Sequence, residues 1–401
     1  MYDHPTQMEP LFPTGCEGLA DLAIDIIRKS AALGGQLHSI TRATIIDFLR
    51  IINSYYSNRI EGHNTHPVDI ERAMRQEYAD DTAQRALQIE SRIHIEVQKK
   101  IEARLDADTE LNVADSVIIS FIHRQFYQHL PIEFRWISDP QTGRQVEIKA
   151  GELRTREVKV GHHIPPRYDK LPLFLKRFGT AYTPNRFHGA NTVIAAAAAH
   201  HRLSWIHPFL DGNGRVTRLF TDAYLRQIPI DGYGLWTVSR GLARQRNDYI
   251  SSLTWADAPR RNDYDGRGNL SNEGLIHFCD FFLKTCLDQI EFMSQLLQLD
   301  SLLERVRGYI NLRKAKVIPP LIPQYQSIKT EAADLLQAVL LRGSLTRGEA
   351  ARATQLPERT ARTVIKQLLE ERLLVSDSAK GRVRIGIPAA VVNYWFPNLY
   401  A

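Results

Sequence analysis

The sequence predicts a mainly α-helical protein with one small β-hairpin, and three observations support this class. Apolar residues recur at helical spacing through most of the first hundred residues. The alanine-rich stretch NTVIAAAAAHHRLSWI, at 191–206, has so few polar residues that it predicts a buried helix. Short stretches typical of strands are few: they lie between about 132 and 166 and around Lys380 and Gly381.

The N-terminal region, residues 1–110, is predicted to be helical. LADLAIDIIRKSAALGG ends on two glycines, which favour a helix stop. TRATIIDFLRIINSYYSNRIEG predicts a second helix over about 41–61, with Thr41 as its N-cap and Gly62 as its stop. A third amphipathic helix is expected from Asp81 to about Leu105.

The central region, residues 111–315, is predicted to form one core. VADSVIISFIHRQFYQHLP predicts a helix, IEFRWISD a short extended piece, and ELRTREVKV a half-exposed hairpin. Pro208 ends the alanine-rich helix, and a new helix is expected from Asn213 or Gly214 to about Arg226. A single long helix is expected from Leu275 to about Leu312.

The C-terminal region begins after a proline-rich linker at 316–328. Residues 329–401 contain three helical patterns followed by two short strand patterns around Lys380 and Gly381. This is the order of elements in a winged helix-turn-helix, so a separate domain is predicted there.

Composition excludes several classes of protein. The 401 residues are 43% hydrophobic and 24% charged, as expected for a globular protein of two or three domains. The longest apolar run is far too short to span a membrane, and the N-terminal segment lacks the pattern of a signal peptide. Three scattered cysteines form neither a disulfide framework nor a zinc pattern, so a cytoplasmic location is predicted. The net charge of +6 is compatible with anionic ligands.

The stretch HPFLDGNGRVTR, at 207–218, combines residue types that suit a polyphosphate site. A helix that starts at Asn213 or Gly214 presents free N–H groups and a positive dipole end to an anion. The glycines at 212 and 214 allow close approach of the backbone, and two arginines three residues apart can bind further phosphate oxygens.

Two other side chains in this stretch suit chemistry on such a ligand. Asp211 is placed to hold Mg²⁺, and His207 can accept a hydroxyl proton near neutral pH. Each feature alone is common in ordinary structure, as a cap, a turn or a solvated cation. Their conjunction predicts phosphoryl or nucleotidyl transfer to a hydroxyl.

HPFLDGNGRVTR resembles the signature of the Fic family, HPFx[D/E]GN[G/K]RxxR, at every fixed position. The resemblance implies a Fic-type helical core that transfers AMP from ATP to a Ser, Thr or Tyr hydroxyl of a protein, with Mg²⁺ as cofactor. His207 would be the base and Asp211 the metal ligand. Gly214, in place of a lysine, favours nucleotidyl over phosphate transfer. The phosphate-binding residues would be Gly212, Asn213, Gly214, Arg215 and Arg218.

Two further assignments follow from the same resemblance. The segment GELRTREVKVGHHIPP is similar to the family's flap, which would hold a target segment by strand addition. An ordinary surface hairpin is the alternative. Tyr249 falls where relatives contact adenine. The predicted flap residues are Leu153, Arg154, Thr155, Arg156, Glu157 and Val158.

SNRIEG, at 57–62, resembles the family's inhibitory motif [S/T]xxxE[G/N], in the subclass with an N-terminal inhibitory helix. Ser57 and Glu61 would then be the inhibitory residues. Glu61 would pair with Arg218 and occupy the place of the γ-phosphate of ATP. An exposed ion pair contributes only about 0–1 kcal/mol. Holding about 99% of molecules closed needs roughly 2.7 kcal/mol, so this contact is expected to be partly buried and multiply hydrogen-bonded.

The predicted recognition helix and wing of the C-terminal domain carry cations that suit phosphate contacts. These are Arg359, Arg362, Lys366, Lys380 and Arg382. Acidic neighbours leave protein docking or a homodimer as equal alternatives to DNA. Three functions therefore remain open: a self-inhibited transferase of AMP to a protein target or to itself, an enzyme that removes AMP, and a nucleotide-sensing DNA-binding regulator.

Overall fold

The computed structural model describes residues 2–138 and 143–400. The described chain is mainly helical, as predicted. The helices are α1 (Glu17–Gly35), α2 (Ser39–Ile60), α3 (Pro67–Met74), α4 (Thr82–Ala107), α5 (Ser116–Tyr127), α6 (Leu171–Ala181), α7 (Ala190–Ile206), α8 (Asn213–Gln227), α9 (Val238–Arg244), α10 (Arg246–Ala256), α11 (Asn272–Leu296), α12 (Leu299–Lys314), α13 (Ala332–Arg342), α14 (Arg347–Ala353), α15 (Glu358–Glu370) and α16 (Val392–Trp395).

Two small antiparallel sheets accompany the helices. Strands β1 (Trp136–Ser138) and β2 (Gln145–Glu147) form a hairpin in which Trp136 lies opposite Glu147. Strands β3 (Ser344–Leu345), β4 (Leu374–Val375) and β5 (Val383–Ile385) form the second sheet in the order β3-β5-β4. In the C-terminal region the helices α13, α14 and α15 precede β4 and β5, which is the order predicted from the sequence.

The contacts between residues divide the chain into two compact units. The first unit comprises residues 1–30, 53–233 and 237–289, and the second comprises 31–52, 234–236 and 290–401. The centre of the first unit is α7, whose five consecutive alanines at 195–199 are completely buried. Alanine side chains let neighbouring helices approach closely, and α8 packs directly on α7.

Several predicted helix ends are confirmed, and their caps explain them. The Asp81 carboxylate accepts a hydrogen bond from the Gln84 N–H at 2.8 Å and begins α4. Gly62, which follows α2, has a φ of +89°, a conformation that favours glycine. The predicted ends of α7 and α8 are correct to within about a residue.

Two predicted elements are wrong in detail. Thr41 does not cap α2, which begins two residues earlier; its hydroxyl lies inside the helix and donates to the Leu340 carbonyl at 2.9 Å. The long helix expected from Leu275 to about Leu312 is interrupted, because Gln298 has an extended backbone (φ −54°, ψ 119°) and starts α12 as a separate helix. Among the described helices, none is both long and apolar enough to cross a bilayer.

Candidate active site

A six-residue elbow at 207–212 joins α7 to α8. His207 ends α7 in the left-handed region, with φ 49° and ψ 61°. The Asn213 side chain closes the elbow, because its Oδ1 accepts from the Phe209 N–H at 2.9 Å and its Nδ2 donates to the Phe209 carbonyl at 2.8 Å. Asn213 therefore shapes the loop from within.

The N-terminus of α8 has the properties of an anion site. No side chain of the described residues caps it. Gly212 has a φ of +76°, and a Cβ built there would lie 2.5 Å from the ring of Tyr127, so only glycine fits. The first N–H groups of the helix are thus uncapped and, with the positive end of its dipole, suit the binding of an anion.

His207 is half-buried at the edge of this elbow. Burial, together with the nearby Arg154 and His163, lowers the pKa of its imidazole to about 4. A backbone hydrogen bond with Ser204 and the charge of Asp211 oppose this shift. The ring is consequently neutral at physiological pH, which is the form able to accept a proton.

Asp211 is the carboxylate at the mouth of the elbow. It accepts a hydrogen bond from the Tyr127 hydroxyl at 2.7 Å and lies 3.5 Å from Arg215, with its side chain 44% exposed. The described residues contain no group of three or more ligands that could hold a metal ion alone. Mg²⁺, however, commonly binds through one carboxylate, substrate phosphates and water, and the exposed Asp211 fits that role.

Arg215 is engaged within the protein. Its buried guanidinium forms an ion pair with the fully buried Glu90 and lies 3.4 Å from the Tyr127 hydroxyl. Glu90 also binds His63 at 2.7 Å, and this hydrogen bond raises the pKa of the histidine. The predicted phosphate ligand Arg215 is therefore the centre of a buried network of charges.

Arg218 binds the predicted inhibitory motif. Its Nε donates to the Ser57 hydroxyl at 2.9 Å, and its Nη2 donates to the Ser57 carbonyl at 3.0 Å and to the Glu61 carboxylate at 2.5 Å. The Arg218 side chain is 2% exposed and that of Glu61 is 32% exposed. Burial raises the pKa of Glu61, but Arg218 and Arg215 outweigh burial and hold it below its ordinary value.

Gly214 provides the space that Glu61 occupies. A Cβ at this position would lie 2.5 Å from Oε1 of Glu61 and 3.1 Å from the Arg218 guanidinium. Glu61 itself lies one residue beyond the end of α2 and rests against the first turn of α8. The glycine and the carboxylate are thus sterically matched.

The end of α2 that carries this motif is held on α4 by hydrogen bonds. Asn53 donates to the Gln98 side chain at 3.0 Å, and Ser54 donates to the Ser91 carbonyl at 2.9 Å. Asn58 donates to the Ser91 hydroxyl at 3.2 Å. These buried side chains fix the position of α2 along α4.

Tyr249 is buried beside Arg218. Its hydroxyl is 2.8 Å from Nε2 of His200, and burial raises its pKa to about 12 while Arg218 lowers it. The residue therefore lies close to the candidate phosphate site, with its hydroxyl already engaged.

The predicted hairpin over 153–160 is wrong. The hairpin of this region is formed by β1 and β2, and residues 153–159 belong to no strand. The cause is Arg154, whose N–H donates to the Pro208 carbonyl instead of a strand partner. The Arg154 side chain is buried, whereas the following three predicted flap residues, Thr155, Arg156 and Glu157, are exposed, and Leu153 and Val158 are half-buried.

The cations of the C-terminal unit lie on its surface as predicted, and several have acidic partners. Arg362 pairs with Glu358, and Lys366 lies 3.7 Å from Glu370. Arg382 donates to the Ser344 carbonyl at 3.0 Å. Arg359 and Lys380 are exposed.

Part of the chain is similar in sequence to known proteins. Residues 115–225 match the Fic/DOC family. The chain is 30% identical to protein adenylyltransferase Fic of Drosophila erecta and 35% identical to that of Drosophila ananassae. Each alignment covers 191 residues, which is 48% of this chain and 31% of the relative. The chain thus spans about a third of the length of these curated relatives.

Solved structures share the fold. A Fic family protein from Desulfovibrio desulfuricans G20 superposes with a TM-score of 0.51 at 16% identity, over 91% of this chain and 95% of that one. A Fic domain containing signaling protein from Bacteroides thetaiotaomicron gives 0.52 at 18% identity, over 69% and 97%. The mainly helical Fic-type fold is confirmed.

The sequence alone missed three residues around the site, Glu90, Tyr127 and His63, and it assigned Arg154 to the flap and not to a buried position at the elbow. The helical pattern around Tyr127 gave no reason to single it out. One signal was present for Glu90, since a carboxylate in IESRIHIEV falls among apolar residues of α4.

Proposed function

We propose that this protein transfers AMP from ATP to a Ser, Thr or Tyr hydroxyl of a protein target or of itself, with release of pyrophosphate. One observation carries the proposal: a neutral, half-buried His207 lies in the elbow that leads into the uncapped N-terminus of α8. An anion cradle beside a base is the arrangement that transfer from a polyphosphate to a hydroxyl requires.

In the proposed reaction, His207 accepts the proton of the target hydroxyl as its oxygen attacks the α-phosphorus. The bond between the α-phosphorus and the bridging oxygen breaks, and pyrophosphate leaves. The N–H groups at the start of α8 bind the phosphates, together with Arg218 once it is freed from Glu61. Asp211 would hold Mg²⁺, which supplies neutralisation of phosphate charge when bound.

The Glu61–Arg218 pair supports autoinhibition as part of this proposal. Arg218 makes three hydrogen bonds to Ser57 and Glu61 and is almost completely buried. Hydrogen bonds to charged groups contribute about 1.5–3 kcal/mol each when shielded from water, so the contact is strong enough to supply the roughly 2.7 kcal/mol that 99% closure needs. ATP would have to displace Glu61 for its γ-phosphate to reach Arg218.

The decisive experiment is incubation with α-labelled ATP and Mg²⁺. Glu61→Gly is expected to label protein about tenfold or more faster than wild type, and His207→Ala to abolish labelling. Glu110→Gly removes an exposed carboxylate from the same unit and serves as the matched control. Label that persists in the His207→Ala protein would overturn the assignment of the base.

The alternative reaction, removal of AMP, is an outcome of the same design. Protein that the Glu61→Gly variant has labelled with AMP is purified and then incubated with the wild-type protein. Release of AMP by wild type, but not by Glu61→Gly, would favour removal with Glu61 orienting the attacking water. No release leaves transfer as the activity.

For the C-terminal region we propose a winged helix-turn-helix that docks protein, including a second copy of this chain. The acidic partners of Arg362 and Lys366 support protein docking over DNA binding, because they reduce the positive electrostatic potential that would attract DNA phosphates. Salt-dependent retardation of random duplex DNA in a gel would instead favour the nucleotide-sensing regulator. The cytoplasmic location remains a prediction from cysteine usage.

A further inference from the structure

Arg154 spans the elbow and the segment that follows β2. Its Nε donates to the His207 carbonyl at 3.0 Å, and its own N–H donates to the Pro208 carbonyl at 3.0 Å. Nη1 donates to the Arg156 carbonyl at 2.9 Å, and Nη2 donates to the Pro166 carbonyl. One buried guanidinium therefore ties three separate points of the backbone together.

The backbone that Arg154 holds is the strained part of the elbow. His207 has a φ of 49°, a left-handed conformation that is unfavourable for a non-glycine residue. Such a conformation persists when surrounding contacts impose it. The bonds from Arg154 to the carbonyls of residues 207 and 208 are contacts of this kind, and they hold two successive peptide units, one on each side of Pro208.

We infer that Arg154 is the positioning residue for the base: it fixes the His207 backbone in the elbow and couples it to the exposed segment 155–157. The inference rests on the proposed function, in which His207 accepts the hydroxyl proton. A target bound along 155–157 would contact the residues that directly follow Arg154. Arg154 is itself hydrogen-bonded to the backbone of His207, the proposed base. The residue thus aligns the acceptor hydroxyl with the imidazole that deprotonates it.

The charge of Arg154 has a second effect on the same ring. The groups that act on the His207 imidazole are Arg154, His163 and Asp211, with the Ser204 backbone as a hydrogen-bond partner. Of these, Arg154 is the permanently charged cation. Its buried guanidinium lies 3.5 Å from the Glu157 carboxylate, which offsets part of the charge, and the effect of Arg154 on the imidazole is still to lower the pKa. Removing this cation raises the pKa of His207, whereas a lysine at the same position retains the charge but cannot reproduce the fork of hydrogen bonds.

The test compares Arg154→Gln, Arg154→Lys and the control Lys176→Gln, which removes an exposed cation of α6 in the same unit, outside the predicted flap. The titration of the His207 imidazole is followed by NMR without nucleotide, and AMP transfer is measured in the Glu61→Gly background. For Arg154→Gln the titration midpoint is expected to rise by about one pH unit or more. The kcat is expected to fall by about tenfold or more, with KM for ATP little changed.

Arg154→Lys separates the two effects. Its midpoint is expected to stay near that of wild type, while kcat still falls, because the charge remains and the alignment is lost. Lys176→Gln is expected to change neither quantity. If both Arg154 variants fold and match Lys176→Gln in midpoint and in kcat, the inference is overturned. If the glutamine variant does not fold, an unchanged kcat in the lysine variant overturns it.

Failure of the inference is distinguishable from failure of the proposed function. The NMR titration requires no AMP transfer, so the effect of Arg154 on His207 is measured even in an inactive protein. Normal labelling by Glu61→Gly combined with unaffected Arg154 variants would reject the inference alone. Absence of labelling in every variant, with the midpoint shifted as expected, would reject AMP transfer but not the link between Arg154 and His207.

Discussion

Nη2 of Arg218 lies 2.5 Å from Oε1 of Glu61 and 3.0 Å from the carbonyl oxygen of Ser57. Arg218 of α8 is therefore bound both by Ser57 in the last turn of α2 and by Glu61 just beyond the end of that helix. A phosphate group that is to use Arg218 must compete with a carboxylate, a carbonyl and a hydroxyl at once. The strength of this competition is open to measurement from several directions.

Ser57→Ala removes the hydroxyl that accepts from Nε of Arg218 and leaves the Glu61 pair in place. Losing one buried hydrogen bond costs about 1 kcal/mol, which corresponds to roughly a fivefold increase in the open fraction. Basal labelling with α-labelled ATP is expected to rise by about that factor, less than in Glu61→Gly. Labelling equal to wild type would mean that the hydroxyl does not hold Arg218 closed.

Gly214→Ala places a methyl group 2.5 Å from Oε1 of Glu61. With Glu61 present, the carboxylate must shift away from Arg218, and we expect a loss of about 1 kcal/mol in the free energy of unfolding. In a Glu61→Ala background the clash is absent, and alanine favours the helix over glycine by about 1 kcal/mol. Chemical denaturation of the four proteins checks the sign change; equal effects in both backgrounds would contradict the steric match.

The lowered pKa of Glu61 makes the closing contact sensitive to acid. A group whose pKa is lowered in the folded protein stabilises it above the ordinary pKa, 4.5 here, and loses that contribution as the pH falls through the lowered value. The difference in unfolding free energy between wild type and Glu61→Gln should be constant near neutral pH. It should shrink in acid below the ordinary pKa. A difference that already declines toward pH 6 would contradict the assigned direction.

Glu90→Gln breaks the buried pair with Arg215 and the hydrogen bond with His63. Leaving one member of a buried ion pair alone costs about 3–5 kcal/mol, so the melting temperature is expected to fall clearly. Because Glu90 raises the pKa of His63, wild type also gains stability below the ordinary pKa of histidine. It loses that gain as the pH rises through the raised value. This loss with rising pH should be absent in Glu90→Gln and present in the exposed control Glu110→Gln.

Local sequence signals predicted most of the helical fold. Helical periodicity, the Asp81 cap and the glycine after Ile60 located α1, α2 and α4, and the buried alanines located α7. Helix breaks and side-chain roles that depend on tertiary contacts could not be predicted from the local sequence. The break at Gln298 has no proline or glycine to mark it, and the hydroxyl of Thr41, which suits a cap, is used instead inside the helix.

The candidate site was predictable as a set of residues but not as a set of contacts. The motif at 207–218 placed His207, Asp211 and the start of α8 correctly, because they are close in sequence. Partners from distant segments could not be read from local patterns, and Arg215 was expected to face phosphate although Glu90 binds it. The alternation in ELRTREVKV suggested strands, yet the burial of Arg154 against the elbow prevents strand pairing there.

The hydrogen bonds of Asn53, Ser54 and Asn58 to α4 set more than the stability of that contact. A slip of α2 by one helical turn would leave these amides and hydroxyls buried without partners, so the helix has a single permitted register. The position at which Glu61 meets the first turns of α8 is therefore decided one to two turns upstream of the glutamate. If Glu61 inhibits as proposed, sequence changes in that upstream stretch would alter how readily ATP displaces it, while every residue of the elbow and of α8 stays the same.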